Sequence, residues 1–322
     1  MSEPLRPALE PATATAPPGD WSHARERSSM LVLRLMAWIA TTLGRPVARC
    51  VLHPIALYFV LFSPGPRRQS ARYLARVLGR PVRFTDLYRH LHAFASTVLD
   101  RVYFVRGQMA SFEIGLHGTD LLDATLAQGR GALLLGAHLG SFEVMHAVGG
   151  SRPDLRIAMV MYPDNARMIH RVLQSVAPDF RLRVIPIGQR GSTLAIRDWL
   201  DGGGVAGLLG DRFLPAEAGR GNTVTLDFLG APARFSDGPL RLAMLLRRRV
   251  IFMVGLYRGG NRYDVSFETL ADFSQPIGSA PEREAVLHAS LQAYVARLES
   301  LCREAPYNWF NFHDFWRSGR AS

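Results

Sequence analysis

From about residue 112 onward the chain alternates short apolar runs with helical stretches, and this alternation constrains its fold more than any other feature. The apolar runs cover residues 132–137, 156–161, 183–187, 205–209, 250–256 and 263–267. Runs of this length read as strands. Between them, residues 119–127, 141–148, 165–175, 192–200 and 238–246 are helical in pattern. Strand and helix in turn at this spacing predict an α/β fold, with a largely parallel or mixed central sheet flanked by helices. No internal repeat and no second catalytic domain is visible. Ligands of such sheets bind beyond the carboxyl ends of the strands. His138 and Asp211 each follow an apolar strand directly, so both are expected to line one crevice.

The run Gly131-Ala-Leu-Leu-Leu-Gly-Ala-His138-Leu-Gly-Ser-Phe-Glu143 concentrates the chemistry. Its apolar part stops at His138, after which Gly140 offers a turn and Ser141 a helix N-cap. Phe142, Val144, Met145 and Ala147 suit a helix packed back onto the strand. On one continuous helix His138 and Glu143 would lie on different faces. With His138 on the turn and Glu143 in the first helical turn, the carboxylate is expected to swing back towards the imidazole. The helix N-terminus favours its ionised form. An anion that fixes the tautomer and stabilises imidazolium is what a general-base histidine needs. The plainer alternative is a strand-end histidine beside a surface glutamate. Other chemistries fit less well. Glu143-x-x-His146 imitates half of a di-iron motif, but no second copy exists, and His146 is expected to be buried on the helix face. Ser141 is not in a Gly-x-Ser-x-Gly elbow, and Gly202, Gly203 and Gly204 form only a turn before a strand. No metal and no cofactor is expected.

The N-terminal part has a different character. Residues 1–20 are rich in Pro and Ala, lack periodicity and read as a disordered tail without a signal-peptide pattern. Residues 30–43 form an apolar helix broken at Gly44-Arg45-Pro46, and residues 50–62 a second one closed by Ser63-Pro64-Gly65-Pro66. Each is short for a bilayer span, and Arg34, Arg45 and Arg49 interrupt the stretch. A helical hairpin lying in the membrane interface is therefore expected within residues 21–66, its arginines reaching to headgroups. Residues 67–322 then form the α/β domain, large enough for a full core. It opens with a helical stretch over 67–107, whose His90 and His92 point away from each other and read as polar-face residues. A net charge of +11 and a pI of about 10.5 call for an anionic partner. The basic residues are scattered and no nucleic-acid motif is present, which favours a membrane surface over nucleic acid. Cys50 and Cys302 have no metal spacing and read as reduced thiols without a catalytic role.

A third segment, Gly202-Gly-Gly-Val-Ala-Gly-Leu-Leu-Gly-Asp211-Arg212, is a glycine turn, a buried strand and an Asp–Arg pair at the strand's end. Downstream come Phe228-Leu-Gly230-Ala-Pro232-Ala and Gly238-Pro239-Leu-Arg-Leu242-Ala243. Together with His-x4-Glu behind the Gly-Ala-Leu-Leu-Leu strand, this order resembles the glycerolipid and lysophospholipid acyltransferases. The likeness is closest to the late acyltransferases of bacterial lipid A biosynthesis. Met161-Tyr-Pro-Asp-Asn165-Ala-Arg167 resembles that family's strand-then-Asn segment. Pro306-Tyr-Asn-Trp309-Phe-Asn-Phe-His313-Asp-Phe-Trp316 resembles its terminal Pro–Trp–aromatic signature. There are departures. Arg167, Arg171 and Arg181 all compete for the family's second-block arginine, and the strand over 250–254 lacks the proline common there. Asp211 is followed by Arg212 where the lipid A enzymes commonly carry Gln, which hints at a different acceptor.

The resemblance implies a membrane-associated acyltransferase at the cytoplasmic face of the bacterial inner membrane. The donor would be an acyl thioester, on acyl carrier protein or as acyl-CoA, and the acceptor a hydroxyl or amine of a membrane lipid. Lipid A, a glycolipid, an ornithine-type lipid and an aryl-polyene lipid remain open as acceptors. His138, oriented by Glu143, would be the general base, with Ser141, Arg167, Asp211, Arg212 and Gly230 binding substrate. One rival is a non-catalytic lipid- or carrier-binding protein of the same fold, which has no chemical need for His138, Glu143 and Asp211. A basic nucleic-acid binder is the other, separable by salt-dependent binding to DNA against anionic vesicles.

Overall fold

The computed structural model describes residues 38–150, 155–163, 183–212 and 223–316, apart from a few side chains between 145 and 150. The expected tail over 1–20, most of the first apolar helix, Arg167 and the helix over 165–175 lie outside the described residues.

The apolar runs become the strands of one seven-stranded sheet: β1 (Glu113–His117), β2 (Leu133–Gly136), β3 (Ile157–Met161), β4 (Arg183–Pro186), β5 (Val205–Leu209), β8 (Arg249–Gly259) and β9 (Arg262–Asp272). The spatial order is β1-β9-β8-β2-β5-β3-β4, and every pair is parallel except β8–β9. The strands β6 (Thr223–Phe228) and β7 (Ala231–Ser236) form a separate antiparallel hairpin. Its turn, Leu229–Gly230, has both residues at positive φ, 52° and 73°. That is the backbone a tight hairpin demands and the reason a glycine stands at 230.

Eight α-helices of eight residues or more are described: α1 (Gly44–Phe62), α2 (Pro64–Leu78), α3 (Phe84–Val105), α4 (Thr119–Leu126), α5 (Phe142–Gly150), α6 (Ser192–Asp201), α7 (Gly238–Leu245) and α8 (Ala280–Glu304). They cover both faces of the sheet. Leu133 and Leu135 of β2 join one core with Tyr73 of α2, Ile196 of α6, Leu240 of α7 and Leu298 of α8. Leu134 points the other way, into a core with Phe104 of α3, Leu122 of α4 and Val144 of α5. Side chains alternate across a strand, so a strand buried on both faces must be apolar at every position. That requirement is why β2 reads as an unbroken Leu run.

The α/β architecture is as expected, with four elements added. The strands β1, β6 and β7 are partly exposed, and α8 spans 25 residues. The N-terminal region also differs in detail. Gly44, at φ 79°, turns the chain between the two helical stretches, so the expected break falls here, while Arg45 and Pro46 already belong to the first turn of α1, where a proline lacking its N–H costs nothing. Residues 38–42 are helical just ahead of it. Most of the first helix of the expected hairpin lies outside the described residues, and α1 is the apolar helix described in full. It is long and apolar enough to cross a membrane by length and composition alone. Ala48, Leu52, Ala56 and Val60, spaced four apart, face the protein, whereas Leu57, Tyr58, Leu61 and Phe62 are exposed.

A buried charge cluster fastens α1. Arg45 makes two hydrogen bonds to Asp100 of α3, at 2.8 and 3.0 Å, and Tyr263 donates to the same carboxylate at 2.9 Å. Arg45 and Arg49 both donate to the carbonyl of Gly260 in the β8–β9 turn, each at 2.6 Å.

Candidate active site

Sheet order places the two strand-end residues side by side. β2 and β5 are parallel neighbours with Gly136 opposite Leu209, so the positions two further along, His138 and Asp211, meet across the strand ends. His138 Nδ1 lies 2.8 Å from Asp211 Oδ1, and the backbone N–H of His138 donates to Oδ2 at 3.0 Å. The indole Nε1–H of Trp309 donates to the same Oδ2 at 3.0 Å. Asp211 is buried, and burial alone would raise its pKa. The His138 imidazole, its backbone N–H and the charge of Arg212 reverse this and hold the carboxyl well below the usual carboxylate range. An ionised Asp211 accepts a proton-bearing Nδ1, which leaves the Nε2 lone pair as the basic face of the ring. Among the described residues no partner occupies Nε2, and the His138 side chain is about a third exposed (32%).

The backbone around His138 is built from both sides. Gly140 has φ 72° and bridges Gly255, and the N–H of Ser141 donates to the Gly255 carbonyl at 2.8 Å. A Cβ on Gly140 would stand 2.0 Å from that carbonyl oxygen, so only glycine lets the chain turn here against β8. On the other side residues 308–310 run antiparallel to 138–140. The N–H of Phe310 donates to the His138 carbonyl and that of Gly140 to the Asn308 carbonyl, both at 2.8 Å. Asn308 in turn clamps the backbone of Tyr257 through both its amide atoms.

Glu143 is placed differently from expectation. In the first turn of α5 it faces α3, where Arg101 forms an ion pair with it at 2.8 Å and Ser141 Oγ–H donates to it at 3.3 Å. The imidazole partner is instead Asp211, 73 residues further along. The physical reason is that parallel pairing aligns the ends of β2 and β5, while the helix carries Glu143 towards α3. Arg212 donates to the Phe310 carbonyl at 2.8 Å, and burial lowers its pKa. His138, Asp211 and Arg212 thus share one cluster, with Ser141 and Glu143 adjoining. Gly230 belongs to the hairpin turn and offers backbone geometry rather than a ligand-binding side chain, and Arg167 lies outside the described residues.

One neighbour carries no role in the sequence reading, and another is placed differently from it. His313 is close enough to feel Arg212, Asp211 and His138, and burial followed by the Arg212 charge lowers its pKa to about 4. His90 is not a polar-face residue: it is fully buried, donating from Nε2 to the Trp309 carbonyl at 2.9 Å while Ser70 Oγ–H faces Nδ1 at 2.7 Å. The side chain of His146 lies outside the described residues. Among the described residues no three His, Cys, Asp or Glu side chains converge to hold a metal ion. A cavity of about 630 Å³ opens between β6 and α8, lined by residues such as Asp227, Gln292 and Arg303, and does not include His138.

The arrangement can remove a proton from a group placed at Nε2 and return it later, because Asp211 stabilises the imidazolium in between. Comparison with known proteins bears on which chemistry uses it. A model of the bacterial lipid A biosynthesis acyltransferase family matches residues 20–318, nearly the whole chain. No curated protein matches it.

Proposed function

For a chain that belongs to the bacterial lipid A biosynthesis acyltransferase family, we propose acyl transfer from an acyl thioester to a hydroxyl or amine of a membrane lipid, with His138 as general base. The observation that carries this reading is the His138 imidazole fixed through Nδ1 on a buried, ionised Asp211. The acceptor O–H or N–H gives its proton to Nε2 as its heavy atom attacks the thioester carbonyl carbon. The tetrahedral intermediate collapses, the C–S bond breaks, and the imidazolium returns the proton to the departing thiolate. Arg212 and backbone N–H groups at the strand ends are suited to stabilising the oxyanion. Glu143 then serves the site through Arg101 and Ser141, lining it rather than orienting the ring.

A net charge of +11 suits an anionic donor, whether an acidic acyl carrier protein or acyl-CoA. The exposed Leu57, Tyr58, Leu61 and Phe62 of α1, followed after Ser63-Pro64-Gly65-Pro66 by Arg67 and Arg68, support docking on the cytoplasmic leaflet of the inner membrane. The test is twofold. Lipid extracts of cells with and without the gene, compared by mass spectrometry, should differ by one acylated lipid. Purified His138→Ala should be folded, membrane-bound and inactive. Near-normal turnover in that variant would refute the mechanism, and an unchanged lipid profile would refute the substrate class.

A further inference from the structure

We propose that Trp309 is a positioning residue, whose indole N–H holds the Asp211 carboxylate in the orientation that presents Oδ1 to His138. The inference rests on the acyl-transfer reading above and adds a residue to its machinery.

The buried Asp211 carboxylate accepts three hydrogen bonds on two oxygens. Oδ1 faces the imidazole, whereas Oδ2 receives the His138 backbone N–H and the Trp309 indole, both at 3.0 Å. The backbone bond comes from His138 itself and moves with it. The indole therefore supplies the only reference for the carboxylate, among the described residues, that lies outside the dyad's own backbone.

Trp309 is built to be such a reference. Its side chain is wholly buried, and its ring is enclosed by Tyr73 at 4.9 Å, Phe228 at 5.3 Å and Phe315 at 4.9 Å between centroids. Edge-on contacts of this kind restrict ring rotation. Its backbone is fixed as well, since the carbonyl accepts from His90 and the residue bridges Leu139. The indole can neither turn away from Asp211 nor follow it. A hydrogen bond to a charged, buried acceptor is among the stronger ones a side chain makes.

Loss of that bond has two effects. The carboxylate gains freedom to rotate, which lowers kcat. It also becomes more basic, pulls harder on Nδ1–H and raises the proton affinity of Nε2. The acid limb of the kcat–pH profile should then move to higher pH, an effect that lost packing alone does not produce.

The sharpest variant replaces Trp309 by 3-benzothienylalanine, which keeps the bicyclic shape and puts sulfur where the N–H stood. Activity is read with radiolabelled acyl-carrier-protein thioester and vesicles of total membrane lipid. The expected result is a fall in kcat of about tenfold, an acid limb shifted upward, and an unchanged KM for the thioester. An unshifted acid limb overturns the proposal, whether or not kcat falls, because only packing would then be at stake. If the variant does not fold, the wild-type protein carries the same test. The Trp309 indole proton resonance should follow the titration of His138 and lose that response in His138→Ala. A resonance indifferent to pH across that titration overturns the proposal equally. An active His138→Ala would instead remove His138 as the general base of the acyl-transfer reading, so the two failures are distinguishable.

Discussion

His138 could be served by either of two carboxylates, and the geometry separates them. Asp211→Asn offers Nδ1 an amide that is neutral and able to donate, which favours the wrong tautomer. A loss in kcat on the order of a thousandfold is expected, by analogy with other His–Asp pairs. Glu143→Gln keeps the bond from Ser141 and loses only the charge facing Arg101, so its loss should be clearly smaller. The reverse ranking in steady-state assays would return the imidazole to Glu143. The sequence makes both His138 and Asp211 legible as strand-end residues, but not their pairing, because 73 residues separate them and only the order of the sheet brings them together. A second prediction concerns His90, whose pKa burial lowers from 6.5 to about 4. Between those values the unfolded chain binds a proton that the folded protein refuses. Stability is therefore full above about pH 6.5 and declines towards pH 4, by on the order of 3 kcal/mol in total. His90→Gln should flatten that part of the profile of Tm against pH.

Among the elements, α1 has a packed side and an exposed apolar side, and the two call for opposite tests. Its inner side is tied down by Arg45, 15% exposed, on a completely buried Asp100. Burial raises the Asp100 pKa despite Arg45 and Tyr263, the mark of a carboxylate that depends on its partners. Arg45→Met should cost about 3–5 kcal/mol in urea unfolding, because it leaves that carboxylate uncompensated. Deleting residues 1–62 would do the same damage, so truncation is a poor probe of membrane attachment. Replacing Tyr58, Leu61 and Phe62 together by Ser spares the clamp. It should move the protein to the soluble fraction with little change in Tm, and retention at the membrane in high salt would place the anchor elsewhere. Legibility followed burial here too. The strands β2 and β5 announce themselves as unbroken apolar runs, whereas β1 and β6 are half-exposed and have no such run to show. The helix α8 is legible in the sequence as well. Leu287, Leu291, Tyr294, Leu298 and Leu301 keep helical spacing behind a capping box at Ser279 and Glu282.

For the whole molecule the net charge of +11 sets the strength of its attraction to acidic surfaces, and the ionic strength its range. Binding to vesicles rich in anionic lipid should weaken steadily as salt rises, since the Debye length falls to about 3 Å at molar ionic strength. Insensitivity to salt in a flotation assay would leave apolar insertion as the whole of the attachment. The topology also has a consequence in time. β1 pairs with β9, 149 positions apart at Glu113 and Arg262, and Trp309 reaches back to Asp211 from still later in the chain. A ribosome adds roughly 5–20 residues per second, so α1 leaves the exit tunnel tens of seconds before the indole exists. The exposed apolar side of α1 is thus formed while the His138–Asp211 pair still lacks its indole. The surroundings of His138 are complete only once residues 308–310 have been translated, because they pair with 138–140 and bring the indole to Asp211.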